Sequence, residues 1–330
     1  MKTFSFFMAI ILVALSACTP GPTASPTVES KPTSTARIEA TVTDVPPVEA
    51  TPTATTVPFP AVSFDYDSSI PFDVKINSEK ERDGVTIIEL SYAGHDPKFS
   101  PNTLGRTIAY LVKPHGDGPF AGLLYLHSLG ESNSGRGEFL DEAVTMAQHG
   151  TVSLLVQGYF PWMIVTVGDE KDRSLIVGQV IALRRATDFL LSQPGVDSKR
   201  LGFVGHDYGA VYGGVLSGVD KRFKTFVLIA GTHSFADWAP IGTSIKREAY
   251  LPMVQDIDPV RMVASAAPSS LFFQFALKDE FVSSDRAKSF HEAASEPKKV
   301  EFYDDLHNMT LEAIQKARLD WLIAQLGLVP

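Results

Sequence analysis

The sequence predicts an α/β domain, a mainly parallel sheet with helices on both faces, and two observations carry that prediction. Short apolar runs bounded by turn residues alternate with segments of helical spacing over most of the chain. The later runs are compact and near-continuous, as in strands covered on both sides. Thr86–Tyr92 and Arg106–Val112 read as an early antiparallel pair. Gly122–His127 reads as a buried strand ending in a Ser-Leu-Gly loop, Glu138–His149 as a helix and Thr151–Val156 as a strand. Ile176, Val180, Leu183, Thr187 and Leu190 fall at helical spacing, and Pro194-Gly195 stops that helix. Leu201–Gly205, Thr225–Ala230, Leu271–Phe275 and Val300–Tyr303 are the remaining strands, and Ile314, Ala317 and Trp321 mark a closing amphipathic helix.

The N-terminal part has a different composition. Lys2 precedes an apolar run, Phe4–Ala14, broken only by Ser5 and too short to span a bilayer, so it reads as an export signal. Leu15-Ser16-Ala17-Cys18 follows and resembles the lipobox of bacterial lipoproteins, which implies a lipid on Cys18 and a place in the cell envelope, outside the cytoplasm. Residues 1–18 are therefore assigned to the signal and its lipidated cysteine. Residues 19–60 are rich in Thr, Pro, Ser and Ala, bury little, and read as a disordered, semi-extended tether. Residues 61–330 form the folded domain, with 232–268 as a small cap insertion.

Composition removes several function classes. The chain has 330 residues, 44% apolar and 20% charged, with a net charge of −9. Three basic and four acidic residues precede position 61, so −8 sits on the domain. No basic stripe exists to neutralise phosphates, which argues against a nucleic-acid partner. Cys18 is the only cysteine, so the domain has no disulfide, thiolate zinc site or cysteine nucleophile. Neither metal-ligand spacing nor a glycine-rich phosphate loop is present, and no cofactor is expected.

The chemistry centres on Gly205-His206-Asp207-Tyr208-Gly209, between the apolar run Leu201–Val204 and a small-residue helix. A strand, a sharp turn and a helix thrust the central residue out above the sheet. Here the domain resembles the α/β-hydrolase superfamily, and Val196–Gly202 is similar to its dienelactone-hydrolase-like branch. The resemblance implies a nucleophile–acid–histidine order. Phe272–Val282 resembles the end of the family's seventh strand, with Ala276 in place of the usual glycine. That makes Asp279 the acid, with Glu280 as the neighbouring alternative. Phe302–Asn308 resembles the histidine loop and makes His307 the base. The oxyanion donors implied are the backbone N–H groups of Tyr208 and Leu129, Ser128 standing where the family usually has glycine.

An aspartate at the elbow changes the expected reaction. A carboxylate is already ionised at neutral pH and can displace a leaving group from an sp³ carbon, giving an ester on the enzyme. His307 then activates water, and Asp279 fixes the imidazole tautomer. Gly-His-Asp-Tyr-Gly is similar to the His-Asp-Trp-Gly elbow of haloalkane dehalogenases and epoxide hydrolases. Tyr208 replaces that Trp, the His-Gly-x-Pro loop is absent, and the cap segment offers one tryptophan, Trp238, and one tyrosine, Tyr250. Tyr159, Phe160 and Trp162 are candidate pocket or core aromatics, and Asp304-Asp305 read as solvated loop acids. The expectation is a lipid-anchored hydrolase of a small molecule. The alternatives are a catalytically inactive binding protein of the same fold and an esterase-like hydrolase that does not use Asp207 as nucleophile.

Overall fold

The computed structural model describes residues 62–96, 98–99, 105–129, 135–159, 167–238, 241 and 243–329. The readings of the export signal, Cys18, the tether, Phe160 and Trp162 lie outside these residues. The apolar runs fold into one nine-stranded sheet of order β1-β2-β3-β5-β4-β6-β7-β8-β9. β1 (Lys75–Arg82), β2 (Val85–Ala93) and β3 (Arg106–Pro114) pair antiparallel, and β3 meets β5 (Thr151–Val156) antiparallel. From β5 onward the sheet is parallel through β4 (Phe120–Leu126), β6 (Val196–His206), β7 (Phe223–Ile229), β8 (Ser270–Ala276) and β9 (Lys298–Tyr303).

Side chains that alternate along these strands feed two cores. Leu124, Phe203, Phe226 and Phe273 enter the core shared with α2 (Glu170–Leu191), α3 (Tyr208–Val219) and α6 (Ser284–Ala293). Their neighbours Leu123, Val204, Val227 and Phe272 enter the opposite core, under α1 (Leu140–Gln148) and α7 (Glu312–Leu326). Each fully buried aromatic of this kind contributes about 2–3 kcal/mol of apolar burial. The α/β architecture with helices on both faces is thus the one the alternation predicts.

Three details differ from the sequence reading. β1 was not anticipated, because Lys-Ile-Asn-Ser-Glu-Lys-Glu-Arg is polar and almost wholly exposed, as suits a charged edge strand. α1 begins two residues after Glu138, because a short 3₁₀ turn, Gly135–Gly137, precedes it. The connection after β7 contains α4 (Arg247–Val254) and α5 (Pro259–Met262) and divides its labour. Tyr250, Met253 and Val254 are buried in the core, while Trp238 and Ile241 reach the ends of the strands.

Candidate active site

In a parallel sheet, ligands bind beyond the carboxyl ends of the strands, at the point where the connections diverge to either side. Here that point lies between β4 and β6. The loops following β4, β6, β8 and β9 carry Leu129, Asp207, Asp279 and His307, respectively.

Asp207 is held in a strained turn, with φ 56° and ψ −116°. That conformation is costly for a residue with a Cβ and persists only where its surroundings impose it. The backbone N–H of Asp207 donates to the Ile229 carbonyl of β7 at 2.8 Å, and its carbonyl accepts from Ala210 and Val211 of α3. The flanking glycines permit the turn. A Cβ on Gly205 would lie 2.3 Å from the Gly209 carbonyl oxygen, and one on Gly209 would lie 2.1 Å from that of Leu126. Asp207 occupies the N-cap of α3, yet its side chain makes no capping bond. Its carboxylate turns toward the other loops, near the positive end of the helix.

Two contacts define the carboxylate. Oδ2 accepts the Leu129 N–H at 2.8 Å, and Oδ1 lies 3.3 Å from Nε2 of His307. On the far side of the ring, Nδ1 of His307 donates to Asp279, 2.9 Å from Oδ2 and 3.0 Å from Oδ1. Asp279 is itself fixed by the N–H groups of Phe281 and Val282, which donate to its Oδ1 at 2.8 and 2.9 Å. The structure therefore brings Asp207, His307 and Asp279 into one line. Glu280, the alternative acid, is exposed. Tyr208, the other oxyanion candidate, is the first residue of α3, at the helix N-terminus beside Asp207. Of the two loop acids, Asp304 pairs with Lys278 at 2.7 Å, and Asp305 accepts the N–H groups of Leu306 and Leu311.

The charges follow from this geometry. Burial opposes a proton on His307, but its hydrogen bonds to the two flanking carboxylates overcome it and raise the imidazole pKa to about 9. Burial pushes the Asp279 carboxyl up, and the His307 hydrogen bond and the two backbone donors more than offset it, so its pKa is lowered. His307 thus lies between two carboxyl groups, both of which favour its protonated form.

The loop after β4 is oriented from behind. Nε2 of His127 accepts the Gly158 N–H at 2.9 Å, which leaves the proton on Nδ1 to donate to the Ser128 carbonyl. In a trans peptide, a carbonyl held on one side directs the following N–H to the other, here that of Leu129 toward Asp207. Ser128 contributes neither its N–H nor its hydroxyl to Asp207. Both donate to Oε2 of Glu138, at 2.7 and 2.8 Å.

A cavity of about 280 Å³ opens over Asp207 and His307, and Leu129, Tyr208, Trp238, Ile241 and Phe281 supply its apolar wall. Trp238 is buried, and its indole N–H has no acceptor among the described residues. Sequence reasoning missed Ile241 and Phe281 as wall residues, and Glu138 and His206 as polar neighbours, because nothing in their local pattern distinguishes them. Tyr159 lies elsewhere, its ring against Phe99 and its N–H donating to Gln179. Among the described residues no cluster of metal-ligating side chains occurs.

No protein-family model and no curated protein matches the chain. Solved structures do. It is similar to the acetyl xylan esterase from Paenibacillus sp. R4, with a TM-score of 0.62 at 16% identity over 77% of this chain and 89% of that one. The acetyl xylan esterase 1 from Thermoanaerobacterium sp. gives 0.62 at 14% over 79% and 90%. A putative dienelactone hydrolase from Klebsiella pneumoniae gives 0.51 at 15% over 74% and 98%. At such identities the likeness concerns the backbone: this chain has the α/β fold of these esterases and of that hydrolase.

Proposed function

We propose that the protein is a hydrolase that uses Asp207 as a covalent nucleophile on a small, neutral, largely apolar molecule. The observation that carries this reading is the carboxylate of Asp207, with one oxygen on the Leu129 N–H and the other facing His307 and the cavity. Oδ1 is the attacking atom. It displaces a leaving group from an sp³ carbon, the electron pair of the broken bond departs with that group, and an ester forms on Cγ. Oδ2 then becomes the ester carbonyl, already placed on the Leu129 donor, with the Tyr208 N–H as the second. Neutral His307 takes a proton from water as the water attacks Cγ, and the tetrahedral oxyanion develops on Oδ2. Collapse breaks the Cγ–Oδ1 bond, and His307 returns the proton to Oδ1, which leaves with the product alcohol. Asp279 keeps Nδ1 protonated so that Nε2 is the basic nitrogen.

Ester formation also prepares the base. It neutralises Asp207, removing one of the two carboxylates that hold the proton on His307. Among the described residues no lysine or arginine lines the cavity. In this reading the domain hangs from a lipid on Cys18 by the Thr/Pro-rich tether, on the outer side of a bacterial membrane. The esterase names of the structural neighbours favour one alternative, an ester hydrolase in which Asp207 is not the nucleophile.

The test is turnover of terminal epoxides, haloalkanes, a lactone and short acyl esters by the parent and by Asp207→Asn and Asp207→Ser. Epoxide or halide turnover that vanishes in Asp207→Asn supports the proposal. Ester turnover that survives Asp207→Asn refutes it. An inert parent whose Asp207→Ser variant gains esterase activity favours the binding protein instead.

A further inference from the structure

His206 precedes Asp207 in the chain, is buried, and takes no part in the reaction above. Its two ring nitrogens face acceptors from different loops. Nδ1 lies 2.6 Å from Oε1 of Glu138, and Nε2 lies 3.0 Å from the backbone carbonyl oxygen of His307. A carbonyl can only accept, so Nε2 carries a proton, and the carboxylate of Glu138 accepts the hydrogen bond from Nδ1–H. The other oxygen of Glu138 holds the N–H and hydroxyl of Ser128, as described above. One carboxylate and one imidazole thus connect the loop after β4, which presents the Leu129 N–H, to the loop after β9, which presents the His307 ring.

Resting on the proposed reaction, we infer that Glu138 and His206 are positioning residues that set the distance between the oxyanion donor and the base. The two loops leave different strands, and Leu129 and Leu306 are 43% and 52% exposed, so burial of their side chains does little to anchor them. Hydrogen bonds to a charged partner are the stronger kind. Four of them converge on this pair. Burial opposes the charge on each partner, but the hydrogen bond between them lowers the Glu138 carboxyl to about 2 and raises His206. Each partner therefore favours the charged form of the other. A displacement of about 1 Å between oxyanion donor and base costs on the order of a hundredfold in rate.

The test separates this role from the identity of the nucleophile. Low-field proton NMR of the full chain, without substrate, follows the Nδ1–H of His307 bonded to Asp279 and that of His206 bonded to Glu138. Glu138→Gln can still accept from Ser128 and donate to a neutral His206, so the His307 signal is expected to persist. Glu138→Ala breaks the link between the two loops, and the His307 signal is expected to broaden into solvent exchange. Should Glu138→Ala fail to fold, His206→Asn is read the same way. A His307 signal unchanged in a folded Glu138→Ala or His206→Asn variant overturns the inference. On a substrate the parent turns over, Glu138→Ala is expected to lose about a hundredfold in kcat with KM within about threefold, and Glu138→Gln to stay within about fivefold. Equal losses in both variants, or a kcat within threefold in Glu138→Ala, also overturn it. If the parent turns over no substrate, the reading of Asp207 fails while the NMR comparison still decides the pair.

Discussion

Replacing Asp207 by Asn tests the electrostatics of the site without any knowledge of the substrate. The amide keeps the size of the carboxylate and removes its charge, as an ester at the same position would. His307 is raised to about 9 although burial opposes its charge, and it faces two carboxylates, 3.3 Å and 2.9 Å away. An opposite charge at such range is worth roughly one to three pKa units. Removing Asp207 should therefore bring His307 down to between ~6 and ~8. The assay is NMR titration of the histidine rings in parent and variant, with His307→Gln to assign the resonance. A fall of about two units means that half or more of the base is neutral at pH 7 once Asp207 is esterified, where general-base catalysis is efficient. A titration within half a unit of the parent would refute the reasoning, since Asp207 would then exert no field on the ring.

The remaining predictions concern the same elements. Because the pKa of His307 is raised in the folded state, its contribution to stability is fully present below about pH 6.5 and is lost as pH rises through about 9. The loss is at most about 3 kcal/mol; chemical denaturation from pH 6 to 10 should show a decline in the parent that is smaller and shifted to lower pH in Asp207→Asn. Asp279→Asn should lower kcat by ~10³–10⁴ through the wrong imidazole tautomer and let the covalent ester accumulate, visible as added mass on the Asp207 peptide. Exposed Glu280→Gln should stay within about twofold, and a comparable loss in both would reassign the acid. Gly209→Ala places a Cβ 2.1 Å from the Leu126 carbonyl oxygen, a backbone atom that cannot rotate away. It should cost about 1–3 kcal/mol or more in denaturation, whereas an unchanged midpoint would mean that the elbow is looser than described.

The parts of this site that are local in the chain were legible in the sequence. A buried strand, five residues containing two glycines and a small-residue helix specify the elbow, because the turn admits few side chains. The order of acid and histidine at strand ends places them on the same edge of the sheet. Setting Glu280 aside as the alternative to Asp279 needed the structure, since it depends on which carboxylate the N–H groups of Phe281 and Val282 turn inward. Glu138 was beyond reach for a similar reason. It meets Ser128 ten positions away and His206 sixty-eight away, and no periodicity encodes such a meeting. β1 escaped because an exposed edge strand needs no apolar face. The pocket wall was hidden too: Ile241 and Phe281 are 53% and 44% exposed loop residues whose positions depend on the path of the backbone.

The central claim is that Asp207 forms a covalent ester, and a single turnover in H₂¹⁸O tests it most directly. Enzyme in excess over substrate is taken through one cycle, and the product and the peptide containing Asp207 are weighed by mass spectrometry. Attack of water on Cγ leaves ¹⁸O in the carboxylate of Asp207 and sends an unlabelled oxygen out with the product. Label in the product and none in Asp207 would mean that water attacked the substrate directly, which contradicts the account.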